Sequence, residues 1–330
     1  MKDNSVLQKM LDAKVILAPM AGVTDVPFRL HARRYGCRFA FTEMIDVNGI
    51  FYNNRKTLGM LDTLEEDSPL AVQIAGSDED KILHAATRCE EKGFRLLDLN
   101  AGCPAPKVIK GDKGAALLKD PEKLARIIRT LVKRLSIPVT VKIRSGWSEE
   151  DLNYLEVSDI AGSEGASAIC IHPRTRGQMY KGSADHAITR EIKKKAGIPV
   201  FASGNIFTPE DAESVLRTTG CDGVFLARGA LGNPWLFRRA EEHLSGKEIS
   251  HNITFSDVKK AVKEHMALTL KFYTPSRSFS RMYKHVCWYL KRYKNLNEVM
   301  MAYGKVKDEK AFSVFLDRLT LADGRILHFA

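Results

Sequence analysis

Asn100-Ala101-Gly102-Cys103-Pro104 places an amide and a thiol three residues apart, with glycine before the cysteine and proline after it. A thiol between those two residues sits on a short, stiff loop, from which it can give a proton to a reacting group. That suits a general acid. Cys37, Cys89, Cys170, Cys221 and Cys287 form no Cys-x-x-Cys pair with it or with each other, which argues against both a zinc site and a disulfide framework. Each of them reads as a small buried apolar residue.

Two glycine loops carry a different chemistry. Ser203-Gly204-Asn205 and Ala227-Arg228-Gly229 join close backbone approach at glycine to the planar donors of Arg228, a combination that suits a phosphate. Lys142 offers a fixed cation, and Gln73 offers one acceptor and two donors. Both match the pyrimidine edge of a flavin, where a cation favours the anionic reduced form.

Such residues converge only if a scaffold presents them at one end. Short β-branched or apolar runs recur at 15–20, 39–43, 70–74, 96–100, 139–143, 168–172, 200–203 and 223–227. Stretches of helical period lie between them, among them 78–93, 121–135, 151–165 and 208–218, and glycine or Ile-Pro precedes several strands. Alternation at this spacing means βα units and a parallel sheet. Eight units in about 240 residues match a (β/α)8 TIM barrel, whereas a doubly wound sheet normally has fewer strands. In a barrel the chemistry stands just after each strand. The residues there are Pro19-Met20-Ala21-Gly22, Glu43, Gln73, Asn100 with Cys103, Lys142 with Arg144, His172 with Arg174, and the two glycine loops.

After Leu244 the pattern changes to a polar linker and then helical period alone, which predicts a smaller all-helical C-terminal domain: 1–244 is the barrel and 245–330 the tail. The tail holds 16 Lys and Arg against 8 Asp and Glu, so most of the net charge of +11 sits there. Between Lys271 and Lys294 there are seven basic residues, no acidic one, and many aromatics. Met282, Tyr283, Val286, Tyr289 and Leu290 form one helical stripe, predicting a core face that leaves Arg281, Lys284, Lys291 and Arg292 outward. A basic face beside a polar barrel mouth points to a polyanion, and charge reversal at Arg281 and Lys284 is expected to weaken its binding. No apolar run approaches the roughly 18 residues of a membrane span, and the first residues mix charges with leucine, unlike a secretory signal, which predicts a cytoplasmic protein.

The motifs together resemble the tRNA-dihydrouridine synthase family, bacterial type. Ala18-Pro19-Met20-Ala21-Gly22-Val23-Thr24-Asp25 is similar to its opening loop, followed by Thr42-Glu43-Met44. Gln73-Ile74-Ala75-Gly76, Asp98-Leu99-Asn100 with Gly102-Cys103-Pro104-Ala105, Lys107-Val108 and Gly114-Ala115-Ala116-Leu117-Leu118 resemble its core signature. Lys142-Ile143-Arg144, His172-Pro173-Arg174-Thr175-Arg176 with Tyr180-Lys181-Gly182, and Gly232-Asn233-Pro234-Trp235 complete it.

The resemblance implies FMN held by Ala18, Pro19, Met20, Gln73, Lys142, His172, Ser203, Gly204, Asn205, Ala227 and Arg228. It implies NADPH as reductant, hydride passing from flavin N5 to uracil C6, and a proton from Cys103 to C5. Asn100, Lys107, Arg144, Arg174, Arg176 and Lys181 would line the approach of tRNA, with Arg281 and Lys284 on the tail. No metal, membrane or obligate protein partner is implied. The seventh loop reads Ser203-Gly204-Asn205 where the family usually has Asn-Gly-Asp, and Ala227 replaces the common glycine before Arg228. Two rival readings stand beside this one. A barrel flavoenzyme for free pyrimidines leaves 271–294 unexplained, and an RNA-binding scaffold leaves Cys103, Lys142 and His172 unexplained.

Overall fold

Eight parallel strands pair in sequence order and close on themselves. They are β1 (Val15–Leu17), β2 (Ala40–Asp46), β3 (Leu70–Ala75), β4 (Leu97–Ala101), β5 (Val139–Arg144), β6 (Ala168–His172), β7 (Val200–Ser203) and β8 (Gly223–Leu226). Pairing of Val15 with Val224 and Leu17 with Leu226 makes the closure. This computed structural model describes residues 3–249 and 252–329. The expected (β/α)8 barrel is therefore present, with strand limits shifted by a few residues. β1 stops three residues short of the expected end, and β2 runs three past its own, to Asp46, beyond a register irregularity between Phe41 and Met44. Among the described residues no helix is long and apolar enough to cross a membrane.

The strands read as nearly continuous apolar runs because both faces are covered. Phe39, Phe41, Phe201 and Phe225 fill the barrel interior, and helix α1 (Ser5–Ala13) packs Leu7 and Met10 against that same cluster. Several of the surrounding helices start on side-chain caps: Asp78 accepts from Lys81 N, Asp120 from Lys123 N, and Thr208 forms a capping box with Asp211.

Helix Leu236–Leu244 ends where the boundary is expected, and helical structure resumes at Phe255. Helices Phe255–Phe272, Pro275–Leu290, Leu296–Tyr303 and Glu309–Arg318 share a core that includes Met282, Val286, Tyr289 and Leu290. Tyr283 departs from the expected stripe and is exposed. The tail is also not wholly helical. Strands β9 (Leu319–Ala322) and β10 (Ile326–Phe329) form an antiparallel hairpin whose turn residues, Asp323 and Gly324, both have positive φ, at 48° and 67°. Asp-Gly between apolar residues at alternate positions is the local signal for such a turn, and here it outweighs the helical period upstream.

Helix α2 (Val26–Arg34) joins barrel to tail. Its His31 stacks on His265 at 4.9 Å between ring centroids, and His285 meets His265 at 4.6 Å. Burial holds all three imidazoles below their usual pKa, so they pack as neutral rings. Behind α2, the fully buried Asp67 accepts from Arg29 Nε at 2.7 Å and Arg33 Nε at 3.3 Å, while Arg29 also donates to Thr24 O at 2.6 Å. Removing one partner of a buried pair strands the other charge in a place water cannot reach. Asp67→Ala should therefore cost about 3–5 kcal/mol of unfolding free energy at neutral pH. Denaturant titration measures this, and a variant as stable as the parent would contradict it.

Candidate active site

A cavity of about 390 Å³ opens at the C-terminal ends of the strands, with residues from all eight strand ends in its lining. Ala18, Pro19, Met20, Gln73, Lys142, His172, Ser203, Gly204, Asn205, Ala227 and Arg228 all line it, as do Asn100, Cys103 and Arg144. Among the described residues, no cluster of His, Cys, Asp or Glu is arranged to hold a metal ion.

One chain of hydrogen bonds leads from the barrel interior to the thiol. Asp98, buried, accepts from Thr140 Oγ1 at 2.6 Å and from Gln73 Nε2 at 2.7 Å. Gln73 Oε1 accepts from Asn100 Nδ2 at 2.9 Å. Asn100 Oδ1 in turn accepts from the backbone N–H of Cys103 at 2.9 Å and of Gly102 at 3.2 Å. Each amide has its oxygen and nitrogen assigned by its neighbour, so the Cys103 turn is held by a side chain with no freedom to rotate. Gly102 is needed here because a Cβ would press within 3.1–3.2 Å of the Lys142 and Ile143 backbone. Arg144 Nε donates to Gly102 O at 2.8 Å, and Cys103 O accepts from Ala115 N at 3.0 Å. Burial pushes the Asp98 carboxyl up to about 6, against hydrogen bonds from Thr140 and Gln73 that lower it.

The other side of the cavity is cationic. Lys142 Nζ donates to Ser203 Oγ at 3.3 Å, and Ser203 Oγ donates to Ile171 O at 3.3 Å. Asn205 Oδ1 is taken by Arg174 Nη2 at 2.7 Å. The side chains of Ser203 and Asn205 are thus engaged within the protein, leaving the backbone of this loop as its anion-facing part. Gly204, at φ +106°, keeps the loop close: a Cβ would stand 2.9 Å from Ala184 Cβ and 3.4 Å from His172 Nε2. The Arg228 guanidinium lies over the rings of Tyr180 and Phe207, at 5.4 and 5.5 Å, and no carboxylate pairs with it among the described residues. Burial and the charges of Lys142, Arg144, Arg174 and Arg228 hold His172 well below its usual pKa. The neutral ring accepts at Nε2 from Arg174 Nη1 at 3.1 Å.

Several residues expected along an RNA approach have other work. Arg174 is buried, and its remaining donors go to Lys181 O at 3.0 Å and Gly182 O at 2.6 Å. It builds the loop and orients His172. Arg144 is also buried, donates to Thr175 O at 2.8 Å and Met179 O at 2.7 Å, and has its pKa pushed down to about 10 by burial. Arg176 lies over Trp147 at 4.7 Å, outside the cavity lining, and Lys107 and Lys181 are exposed beyond it. Arg281 and Lys284 do not point into solvent as expected. Arg281 pairs with Asp25 and Lys284 donates to Gly22 O, because the face turned away from the tail's own core meets the barrel. Tyr180, named above only within a motif, and Phe207, not named, stand half-exposed at the mouth, since counting polar strand ends passes over aromatics in the loops that follow.

Residues 16–320 match the family model described as Dihydrouridine synthase (Dus). The chain belongs to the dihydrouridine synthase family. Curated relatives include tRNA-dihydrouridine synthase B of Pseudomonas syringae pv. tomato, 38% identical over 297 residues, covering 90% of this chain and 88% of the relative. The tRNA-dihydrouridine synthase B of Xanthomonas axonopodis pv. citri is 40% identical over 278 residues, 84% of each chain. Among solved structures, histamine dehydrogenase from Rhizobium sp. 4-9 aligns with a TM-score of 0.52 at 11% identity, over 77% of this chain and 49% of that one. A 2-naphthoyl-CoA reductase aligns with a TM-score of 0.56 at 12% identity, over 71% and 50%. These two show the shared barrel fold, of which this dihydrouridine synthase spans about half of each larger chain. Membership makes the protein an oxidoreductase.

The raised Asp98 carboxyl sets a sign for stability. Its folded value lies above the ordinary 3.8, so its contribution is full below about 4 and is lost as pH rises to about 6. Asp98→Asn lacks this titration. The difference in unfolding free energy, parent minus variant, should fall by roughly 2–3 kcal/mol between pH 4 and 7. A difference flat with pH would contradict the assignment.

Proposed function

We propose that this dihydrouridine synthase acts on tRNA, binds FMN in the barrel-mouth cavity, takes its electrons from NADPH, and reduces the C5–C6 bond of uridine. The observation that carries this reading is that the braced Cys103 turn opens into the same cavity as Lys142, Gly204 and Arg228. The residues fit a flavin nucleotide. Lys142 has one hydrogen bond, to a hydroxyl, and Arg228 has no acid partner among the described residues, so both have donors left for an anionic group. The backbone of 203–205 and 227–229 approaches closely enough for a phosphate, in the loops after the seventh and eighth strands.

A flavin held by Lys142, Arg228 and the backbone of the 203–205 loop would supply hydride chemistry at the uracil ring. The Cys103 thiol gives its proton to C5, and the thiolate left behind is reprotonated from solvent. Asn100 holds that thiol by its backbone, and neutral His172, whose Nε2 is taken by Arg174, has its Nδ1–H left as a donor beside the Lys142 cation. A uracil stacked in folded tRNA reaches such a cavity only by extrusion, which needs the RNA held on a nearby surface. Residues 1–244 are read as the catalytic domain and 245–330 as the RNA-binding domain, with residues 1–2, 250–251 and 330 outside the described structure. Lys291, Arg292 and Lys294 are exposed on the tail and suit phosphate contact. A substrate of this kind fits a cytoplasmic protein.

Purified protein should carry a flavin absorbance spectrum and release FMN on denaturation, and a colourless preparation that does not take up added FMN would count against the reading. Cys103→Ala should keep FMN and tRNA affinity while dihydrouridine formation, read by mass spectrometry of digested tRNA, falls on the order of 10²-fold or more. Full activity would reject the proton-donor role. Lys291→Glu with Arg292→Glu should weaken tRNA binding and flatten its dependence on log salt. Unchanged binding across salt concentrations would reject the tail as the RNA surface.

A further inference from the structure

Helix Pro275–Leu290 of the tail grips two loops of the barrel mouth. At the first, the backbone of Gly22 is held from both ends: its N–H donates to Glu43 Oε1 at 2.6 Å, and its carbonyl accepts from the Lys284 ammonium. Three residues on, Asp25 caps α2 by accepting from Phe28 N at 3.1 Å, and also accepts from Arg281 Nε at 2.9 Å and Tyr273 Oη at 3.1 Å. Arg281 lies over the Tyr273 ring at 4.6 Å. At the second loop, downstream of Arg228, Gly232 sits against the backbone of Trp288 and Tyr289 so closely that a Cβ would overlap the Trp288 carbonyl.

The first loop is a wall of the cavity. Met20 and Ala21 line it, and Met20 O accepts from Val23 N at 3.0 Å and Thr24 N at 3.1 Å, so a shift at Gly22 moves the lining residues with it. Gly22 has φ +75° and no side chain to anchor it. Its conformation is therefore fixed by Glu43 from the barrel and Lys284 from the tail. A charge-assisted bond to a carbonyl is among the stronger neutral-pH contacts available there.

We infer that Lys284 and Arg281 are positioning residues for the cofactor: they set the β1 loop that walls the flavin cavity, so seating of the helical tail and binding of FMN are coupled. This rests on the flavin reading above. It differs from the expectation that these cations face RNA, which would leave cofactor affinity independent of them. By reciprocity, anything that moves helix Pro275–Leu290, RNA docking included, moves cofactor affinity by the same factor that the cofactor moves it.

The test is titration of FMN into flavin-depleted full-length protein, followed by flavin fluorescence, with neither tRNA nor NADPH present. Lys284→Met should weaken FMN binding about tenfold, the worth of one charge-assisted hydrogen bond, and Lys284→Arg should recover most of it. Lys310→Met, a charge loss at an exposed position in helix Glu309–Arg318 of the tail, should bind FMN as the parent does. Lys284→Met with parental affinity, or Lys310→Met with the same loss, overturns the inference. Should Lys284→Met fail to fold by circular dichroism, amide hydrogen exchange on the parent decides. FMN should slow exchange in 281–289 of the tail as well as in 20–25, and protection confined to the barrel overturns the coupling. A parent protein that binds no FMN ends the flavin reading, and this inference with it, whereas a parent that binds FMN alongside an equally competent Lys284→Met ends the inference alone.

Discussion

The thiol of Cys103 depends on one amide. Asn100 turns its oxygen to the backbone N–H groups of Gly102 and Cys103, and it does so because Gln73 occupies its nitrogen and Asp98 occupies the nitrogen of Gln73. Three polar side chains inside a barrel carry a desolvation cost unless each finds its partners. Here they do, and the satisfied chain ends at the residue with the chemistry to donate a proton. Burial raises the Asp98 carboxyl at the inner end, while Arg144 and Ala115 secure the outer end through backbone carbonyls.

Across the cavity the electrostatics run the other way. Lys142 and Arg228 bring positive charge, Lys142 near enough to the buried Asp98 to favour its carboxylate, and the neighbouring imidazole of His172 stays neutral because it is buried among cations. A site of this kind accepts an anion and holds it without becoming a second proton donor. The tail adds a constraint from outside the barrel. Two of its cations are used at Gly22 and Asp25, so the wall beside Met20 is built from both parts of the chain.

Much of this was legible in the residues. The eight strands were readable because inward and outward faces are both covered, which gives short apolar runs, several of them introduced by a glycine or by Ile-Pro, and the cavity lining followed from taking what stands after each run. What stayed hidden was the destination of side chains. Arg174 and Arg144 have the composition of RNA contacts, but their donors go to carbonyls in a loop whose path is set by residues up to 35 positions away. The helical period placed Arg281 and Lys284 opposite the tail's own core correctly, yet periodicity does not say what a helix's outer face meets. The hairpin at the end of the tail was carried by Asp323-Gly324, a two-residue signal beside a long helical one.

The central claim is that Cys103 faces the space into which the substrate base is brought. The most direct measurement is the rate at which iodoacetamide alkylates Cys103 in FMN-loaded protein, with substrate tRNA, with a non-substrate RNA and with neither, read by peptide mass spectrometry. Protection of Cys103 by substrate tRNA and not by the other RNA is the predicted result. Alkylation of Cys103 at the same rate with saturating substrate tRNA as without it would contradict it.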